Sequence, residues 1–406
     1  MMKILKLFCL FSLLCCGACT GNDDDTLTGS VPDGGSSGGQ TPPDGGSSGG
    51  QTPPEGVLTL RVSSRFLAAD GEDAVVFTVL KGGSDVTASA VIFDRDAQTT
   101  LTAPEFSTET AGTYTFFASY GSELSESVSV SAVSGVPQLP ADPSPDRYDR
   151  FRRHVLIAQF TSCECIYCPY ATSSLIEYFK ANTSGDAIHA GVHVSIPSAD
   201  GMVNTGSLAI KNMVVVSSAP TLCFDLNKDY RYTMSSTGLT QNIASNVRLL
   251  ENVVAERLAS DAPCGIAAAV TATTTRISVN ANVKAAASGV FRIQAWLLED
   301  GIVETQINGT GITGYDFNTH NNVVRAISNA SYVPGEVLGA DGTMASGESA
   351  RFFATFDIRQ AKVADTAKCK VLIVVTTNSA AAPTVYTVAN LISCPVGGAV
   401  SYEYLD

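Results

Sequence analysis

The stretch that most restricts the fold is a buried strand that runs directly into two closely spaced cysteines. Residues 154–160 read HVLIAQF, a continuous apolar run that is typical of a strand buried on both faces. Cys165, Cys168 and Pro169 follow, and apolar residues then recur at helical spacing over 170–182. The pattern predicts a strand-to-helix corner with two thiols at the start of the helix. Proline is tolerated there because the first N–H groups of a helix have no partner within it.

The segments after this corner predict an α/β domain over 150–261. A second buried strand is expected at 187–195 and a long amphipathic helix at 239–260, and Pro220 with Thr221 opens another strand between them. A strand, a Cys-X-X-Cys helix start, a strand and then Ala-Pro-Thr before a further strand resemble the thioredoxin fold in their order. The resemblance implies that the peptide bond before Pro220 is cis and that this proline faces the cysteine pair.

Two roles of the cysteine pair are open. A thiol at a helix N-terminus is favoured as the thiolate by the unpaired N–H groups and the macrodipole. The resemblance implies that Cys165 is the attacking sulfur and Cys168 the resolving one. However, Gln159 stands where thioredoxins keep a buried acid, and an amide cannot act as a general base. Slow or restricted thiol–disulfide exchange and a purely structural disulfide are both compatible with this sequence.

A zinc site is the third interpretation of these cysteines. Cys163, Cys165 and Cys168 offer three thiolates, and Cys223 or a histidine could supply a fourth ligand. No second Cys-X-X-Cys pair completes such a site in the sequence. Thiols outside the cell also oxidise. We therefore expect a Cys165–Cys168 disulfide, no metal and no other cofactor.

The first residues are typical of a targeting segment. A positively charged start and an apolar run over 7–14 predict a signal peptide that ends at residue 18. The small residues before Cys19 resemble a bacterial lipobox, which implies that Cys19 carries the lipid anchor; Cys16 is the alternative, and an ordinary secreted signal peptide is a further one. The acidic run at 23–25 resembles the surface-export signal of Bacteroidetes lipoproteins. These features predict an outer-membrane lipoprotein that faces the cell exterior.

Residues 19–56 are expected to form a disordered tether. The 11-residue sequence PDGGSSGGQTP occupies 32–42 and repeats identically at 43–53. A composition this rich in glycine, serine and proline cannot bury apolar surface. A flexible chain of this length spans about 33 Å. Its expected role is to hold the folded domains away from the membrane.

Residues 57–133 alternate as strands do and predict a β-sandwich. Turn residues separate β-branched and aromatic segments at 58–63, 74–80, 88–93, 113–120 and 127–133. The segment resembles a bacterial immunoglobulin-like domain. The four prolines of residues 134–149 predict an extended linker between it and the next domain.

The last third, residues 262–406, predicts an antiparallel β-sandwich. Strand patterns occur at 265–274, 276–285, 290–299, 350–358, 370–377 and 384–392. The cysteine motif, the Ala-Pro-Thr segment, "HNNVVRAI" at 320–327 and the late Cys394 together resemble Omp28-type outer-membrane lipoproteins of Bacteroidetes over about 150–404. That resemblance implies a surface adhesin or receptor. The predicted fold class is thus an immunoglobulin-like β-sandwich, a thioredoxin-like α/β domain and a C-terminal antiparallel β-sandwich.

The chain holds 11 cysteines, seven of which follow the N-terminal region. An odd number leaves at least one of them without an intramolecular partner. Cys264 begins the first strand of the predicted C-terminal sandwich and Cys394 ends the last, so they could pair across antiparallel neighbours; Cys369 could replace either. Cys223 is expected to be a buried thiol.

We expect a binding or adhesion function, with thiol–disulfide exchange through Cys165 and Cys168 as the alternative. The net charge of −14 argues against nucleic acid as a partner. The expected partners are outer-membrane lipid, through the anchor, and a protein or glycan ligand. His320, Asn321 and Arg325 form the most conspicuous polar stretch of the C-terminal third and are candidate ligand-binding residues.

Histidines are scarce in this chain, which has four of them. His189 and His193 alternate with apolar residues along one predicted strand. Such histidines are expected in a core or an interface rather than as metal ligands.

Overall fold

The computed structural model describes residues 56–339 and 342–406. The predicted signal peptide, the predicted lipid anchor Cys19 and nearly all of the predicted tether lie outside these residues. None of the helices in the described ranges is long and apolar enough to cross a bilayer.

The first part of the described chain consists of two β-sheets packed on a common core. Its strands are β1 Leu58–Val62, β2 Phe66–Ala68, β3 Val75–Lys81, β4 Ser84–Asp85, β5 Val91–Asp94, β6 Thr99–Thr100, β7 Glu105–Phe106, β8 Gly112–Tyr120, β9 Glu123–Leu124 and β10 Val128–Val133. One sheet has the order β1-β3-β4 with β7 beside β3, and the other has the order β2-β10-β8-β5-β6 with β9 beside β8. The rings of Phe77 and Phe116 meet 4.8 Å apart between the sheets.

The middle part alternates strands and helices. Its elements are β11 Val155–Thr161, α1 Cys168–Ala181, β12 Ala187–His193, α2 Thr205–Met213, β13 Thr221–Phe224, β14 Arg231–Thr233 and α3 Ile243–Leu258. β11 is buried along its whole length and pairs in parallel with β12 and antiparallel with β13. β13 in turn pairs antiparallel with β14.

Helix α2 is absent from the elements that the sequence predicts. Asn204 caps its N-terminus, because its side chain accepts from the Ser207 N–H while Ser207 Oγ accepts from the Asn204 N–H. This reciprocal pair satisfies two backbone donors that a helix start otherwise leaves open. The buried Ile210 fixes the helix against the sheet.

The last part is again built from strands. These are β15 Cys264–Ala272, β16 Arg276–Ala285, β17 Phe291–Glu299, β18 Ile302–Val303, β19 Thr319–His320, β20 Val323–Ile327, β21 Glu336–Val337, β22 Ser349–Asp357, β23 Cys369–Ser379, β24 Ala382–Pro395 and β25 Ala399–Val400. β22-β16-β15-β25 form one antiparallel sheet. It packs on β17, β23 and β24 over a core with many small and branched side chains.

One nine-stranded sheet crosses the predicted domain boundary at 261/262. Its order is β14-β13-β11-β12-β20-β17-β23-β24, with β21 beside β17. Gly191 of β12 and Val323 of β20 are the paired residues at the junction. The only tryptophan of the chain, Trp296, is fully buried in a core that contains residues of both predicted domains, such as Phe160 and Leu372. The two segments therefore share one sheet and one core.

The predicted linker lies against the C-terminal sheet. Lys284 of β16 is 4% exposed, and its Nζ donates to the carbonyl oxygens of Ser144, Pro145 and Arg147 at 2.8–3.2 Å. It also forms an ion pair with Asp142. Burial of an ammonium group is tolerated only with such partners, so the linker and the sheet stabilise each other.

The suggested Cys264–Cys394 disulfide is wrong, because both cysteines are buried and unpaired. Asn390 Nδ2 donates to the Cys264 carbonyl oxygen at 2.9 Å, whereas Cys394 Sγ contacts the Ala268 carbonyl oxygen. β15 and β24 therefore run in the same direction where they pack, and the two cysteines are offset by four residues, about 13 Å along a strand. Cys369 is unpaired as well.

Candidate functional site

The predicted strand-to-helix corner is present, and its cysteines form a disulfide. β11 ends at Thr161, and Cys165 N–H donates to the Ser162 carbonyl oxygen at 3.0 Å in the turn that follows. α1 begins at Cys168, which is bonded to Cys165. Cys165 is 4% exposed and Cys168 is fully buried. Neither sulfur is therefore open to a large substrate in this conformation.

The proline that the resemblance singled out lies at the same end of the sheet. The Ala219–Pro220 peptide bond is cis. Thr221 of β13 pairs with Phe160 of β11. Pro220 therefore lies beside the end of β11 from which the cysteine turn leaves.

A segment from the last third of the chain covers this turn. The side chain of Gln306 is buried, and its Nε2 lies 3.0–3.2 Å from the carbonyl oxygens of Ser162, Cys163 and Cys165. Ile307 N–H donates to the Cys163 carbonyl oxygen at 2.8 Å. Farther along, the Gly309 N–H donates to the Ile166 carbonyl oxygen. Residues 306–309 thus hold the cysteine turn in place; sequence reasoning missed them because nothing local in that loop points to the corner.

Gln159 belongs to a row of hydrogen-bonded polar side chains beside the cysteine corner. Its Nε2 donates to Thr172 Oγ1, and its Oε1 accepts from His189 Nε2, both at 3.0 Å. His189 Nδ1 accepts from Asn322 Nδ2 at 3.1 Å, which matches a neutral imidazole with its proton on Nε2. Burial lowers the pKa of His189 to about 4. None of these four side chains is an ionised base that could take a proton from a thiol.

A pocket of about 260 Å³ opens beside this corner. Three of the four histidines of the chain contribute to its wall, which includes Gln159, His189, His193, Gln306, His320 and Asn321. Two of the candidate ligand residues, His320 and Asn321, thus face the same pocket. Arg325 does not line it; its guanidinium pairs with Glu299 at 3.2 Å.

The structure also brings together a cluster of side chains that the sequence did not predict. One donor atom from each of Cys163, His193 and Asp200 lies within 4.8 Å of the other two. His320 Nε2 lies 3.5 Å from Cys163 Sγ. His193 and Asp200 are near each other in sequence, but His320 arrives from β19, so sequence spacing alone gave no signal for the set.

The other unpaired thiols are weak nucleophiles. Cys223, Cys264, Cys369 and Cys394 are all buried. Burial raises the pKa of each of the first three to about 12 and that of Cys394 to about 11. Thiols with such values are almost entirely protonated at neutral pH, so they are poor nucleophiles.

Fold and site together define a β-rich chain of several sheets with a disulfide at a strand-to-helix corner. No protein-family model matches the chain, and no curated protein matches it. Among solved structures it is similar to HBP35 of Porphyromonas gingivalis, with a TM-score of 0.47 and 14% sequence identity; the match covers 61% of this chain and 76% of that one. The resemblance to Omp28-type lipoproteins stays a prediction.

Proposed function

We propose that this protein is a surface-facing outer-membrane lipoprotein with a binding or adhesion role, and that its Cys165–Cys168 disulfide is structural. The structural role of the disulfide is supported by the segment that covers the cysteine turn. Residues 306–309 bond to that turn, and both sulfurs are buried. An exchange catalyst must instead present one sulfur to its substrate.

Features of the surface around the turn support a binding role. Ile166 and Tyr167 are 44% and 45% exposed, and Ile307, on the hydrogen-bonded cover segment, is 42% exposed. Adjacent exposed apolar side chains are a common feature of protein-binding surfaces. The nearby pocket offers histidine and amide groups that could orient a small polar group of a ligand.

The proposed anchor is tested by metabolic labelling with an alkyne fatty acid. Cys19→Ser should abolish the label and release the protein from the membrane, whereas Cys16→Ser is the matched control and should keep both. Protease treatment of whole cells should then degrade the wild-type protein. Labelling that survives in the Cys19 variant, or complete protection from protease, contradicts this part of the proposal.

The binding role is tested with the purified chain on arrays of glycans and extracellular-matrix proteins. We expect a saturable signal that falls when Tyr167→Ser and Ile307→Ser remove the exposed apolar groups. Val385→Ser, an exposed apolar position on β24, is the control and should leave binding unchanged. No saturable ligand across a broad screen counts against the proposal.

Thiol–disulfide exchange is the second candidate, because the order of elements supports it. The disulfide at the start of α1, the parallel strand β12 and the cis peptide bond before β13 occur as the thioredoxin-like resemblance implies. An insulin-reduction assay decides between the candidates. Turnover by the wild-type chain that Cys165→Ser abolishes would favour exchange; our proposal expects no turnover above the level of that variant.

A further inference from the structure

The cluster beside the cysteine turn has the composition of a transition-metal site. It offers one thiol, two imidazoles and one carboxylate, from Cys163, His193, His320 and Asp200. Sulfur, nitrogen and oxygen donors in this mixture suit Zn²⁺, whereas Ca²⁺ and Mg²⁺ require oxygen ligands throughout.

The donor atoms of Cys163, His193 and Asp200 have the spacing of a ligand set, and His320 lies beside one of them, Cys163. The three donor atoms of Cys163, His193 and Asp200 are mutually within 4.8 Å, and the 3.5 Å between Cys163 Sγ and His320 Nε2 is close to the separation of two ligands on a tetrahedral ion. The rings of His193 and His320 are 5.2 Å apart and nearly perpendicular. Both histidines also line the 260 Å³ pocket, which gives an ion a route to the cluster.

The surrounding structure holds these side chains in place. Two backbone donors orient Asp200: its Oδ2 accepts from the Cys163 N–H at 2.8 Å, and its other oxygen accepts from the Met202 N–H. His193 Nδ1 lies 2.7 Å from Asp200 Oδ2, and the proton between these two atoms moves to the other ring nitrogen of His193 when both atoms bind the ion. Met202 and Val323 pack around Cys163 as an apolar shell. Ordered ligands with such support are what a metal site requires.

We infer that Cys163, His193, Asp200 and His320 bind one Zn²⁺ ion. On binding, the S–H bond of Cys163 breaks, a bond from sulfur to zinc forms, and the proton leaves to water. Thiolate and carboxylate together balance the charge of the ion. The site is separate from the disulfide and uses neither of its sulfurs.

The experiment uses the purified full chain without a histidine tag and with the disulfide intact. Co²⁺ is the spectroscopic probe, because a thiolate ligand gives a near-ultraviolet charge-transfer band. We expect one Co²⁺ per chain, displacement by one Zn²⁺ and release of one proton. Cys163→Ser should abolish the band and weaken Zn²⁺ binding by at least about tenfold. The control is Cys223→Ser, which replaces a buried unpaired thiol outside the cluster. It should keep the charge-transfer band and the wild-type affinity for Zn²⁺.

A second variant keeps the inference falsifiable if the serine variant does not fold. His320→Gln lies at a partly exposed position of β19 and should also weaken Zn²⁺ binding by at least about tenfold. Its control is His154→Gln, outside the cluster, which should bind like the wild type. Absence of stoichiometric metal binding, or affinity unchanged in the Cys163 and His320 variants, overturns the inference.

Discussion

Replacement of Gln306 by alanine tests the cover over the cysteine turn. The amide group has two hydrogens, so its close carbonyl contacts amount to about two full hydrogen bonds, each worth about 1 kcal/mol. The carbonyls of Ser162, Cys163 and Cys165 each keep a backbone donor, so none is left without a partner. Loss of one buried methylene adds about 0.8 kcal/mol. Gln306→Ala should therefore lower the free energy of unfolding by roughly 3 kcal/mol.

The assay is urea denaturation followed by the fluorescence of Trp296, the only tryptophan and a fully buried one. Gln360→Ala, at an exposed glutamine, is the control and should change stability by less than about 0.5 kcal/mol. Gln306→Glu should destabilise more than alanine at neutral pH, because a carboxylate would face carbonyl oxygens. The additional loss in the free energy of unfolding should become smaller at low pH, where the carboxyl group is protonated.

The same variant should expose the disulfide. If reduction by a small thiol requires local opening of the turn, a loss of 3 kcal/mol in cover stability accelerates it by up to about 100-fold. The reasoning is refuted if Gln306→Ala unfolds within about 0.5 kcal/mol of the wild type and its disulfide is reduced at the wild-type rate.

Three further predictions concern pH, the linker and the thiols. The pKa of His189 falls to about 4 on folding, so the unfolded chain binds more protons between about pH 6.5 and 4. The free energy of unfolding should therefore fall by about 2–3 kcal/mol as the pH drops through this window. Denaturation curves at a series of pH values should show this loss in the wild type but not in His189→Gln. Lys284→Met should lower the free energy of unfolding by about 3 kcal/mol, because it leaves Asp142 and the linker carbonyls without their cation. An unchanged midpoint of urea denaturation would contradict the contact between the linker and the sheet. Peptide mapping of unreduced protein should find Cys264 and Cys394 as free thiols, and a cross-linked peptide of the two would refute the strand offset.

Local patterns predicted the elements that begin and end within one stretch of sequence. The apolar run that became β11, the helical spacing of α1 and the alternation of β16 all reflect burial of neighbouring residues. Helix α2 was missed because its nine residues are short for a periodic signal and its start is fixed by the side chain of Asn204.

The pairing between distant segments could not be predicted. β20 joins β12 although Val323 and Gly191 are far apart in the chain, and such a register depends on the packing of the whole sheet. The contacts of Gln306 and His320 with Cys163 likewise join segments that are far apart in the chain. The sequence therefore predicted the disulfide but neither its cover nor the cluster beside it.

The reduction potential of the Cys165–Cys168 disulfide tests the central claim most directly. It is measured in the full chain by equilibration with thiol–disulfide buffers, with quantification of the two cysteines by alkylation and mass spectrometry. A structural disulfide under the Gln306 cover should have a potential below about −300 mV. A value of about −120 to −270 mV, the range of exchange catalysts, would contradict the account.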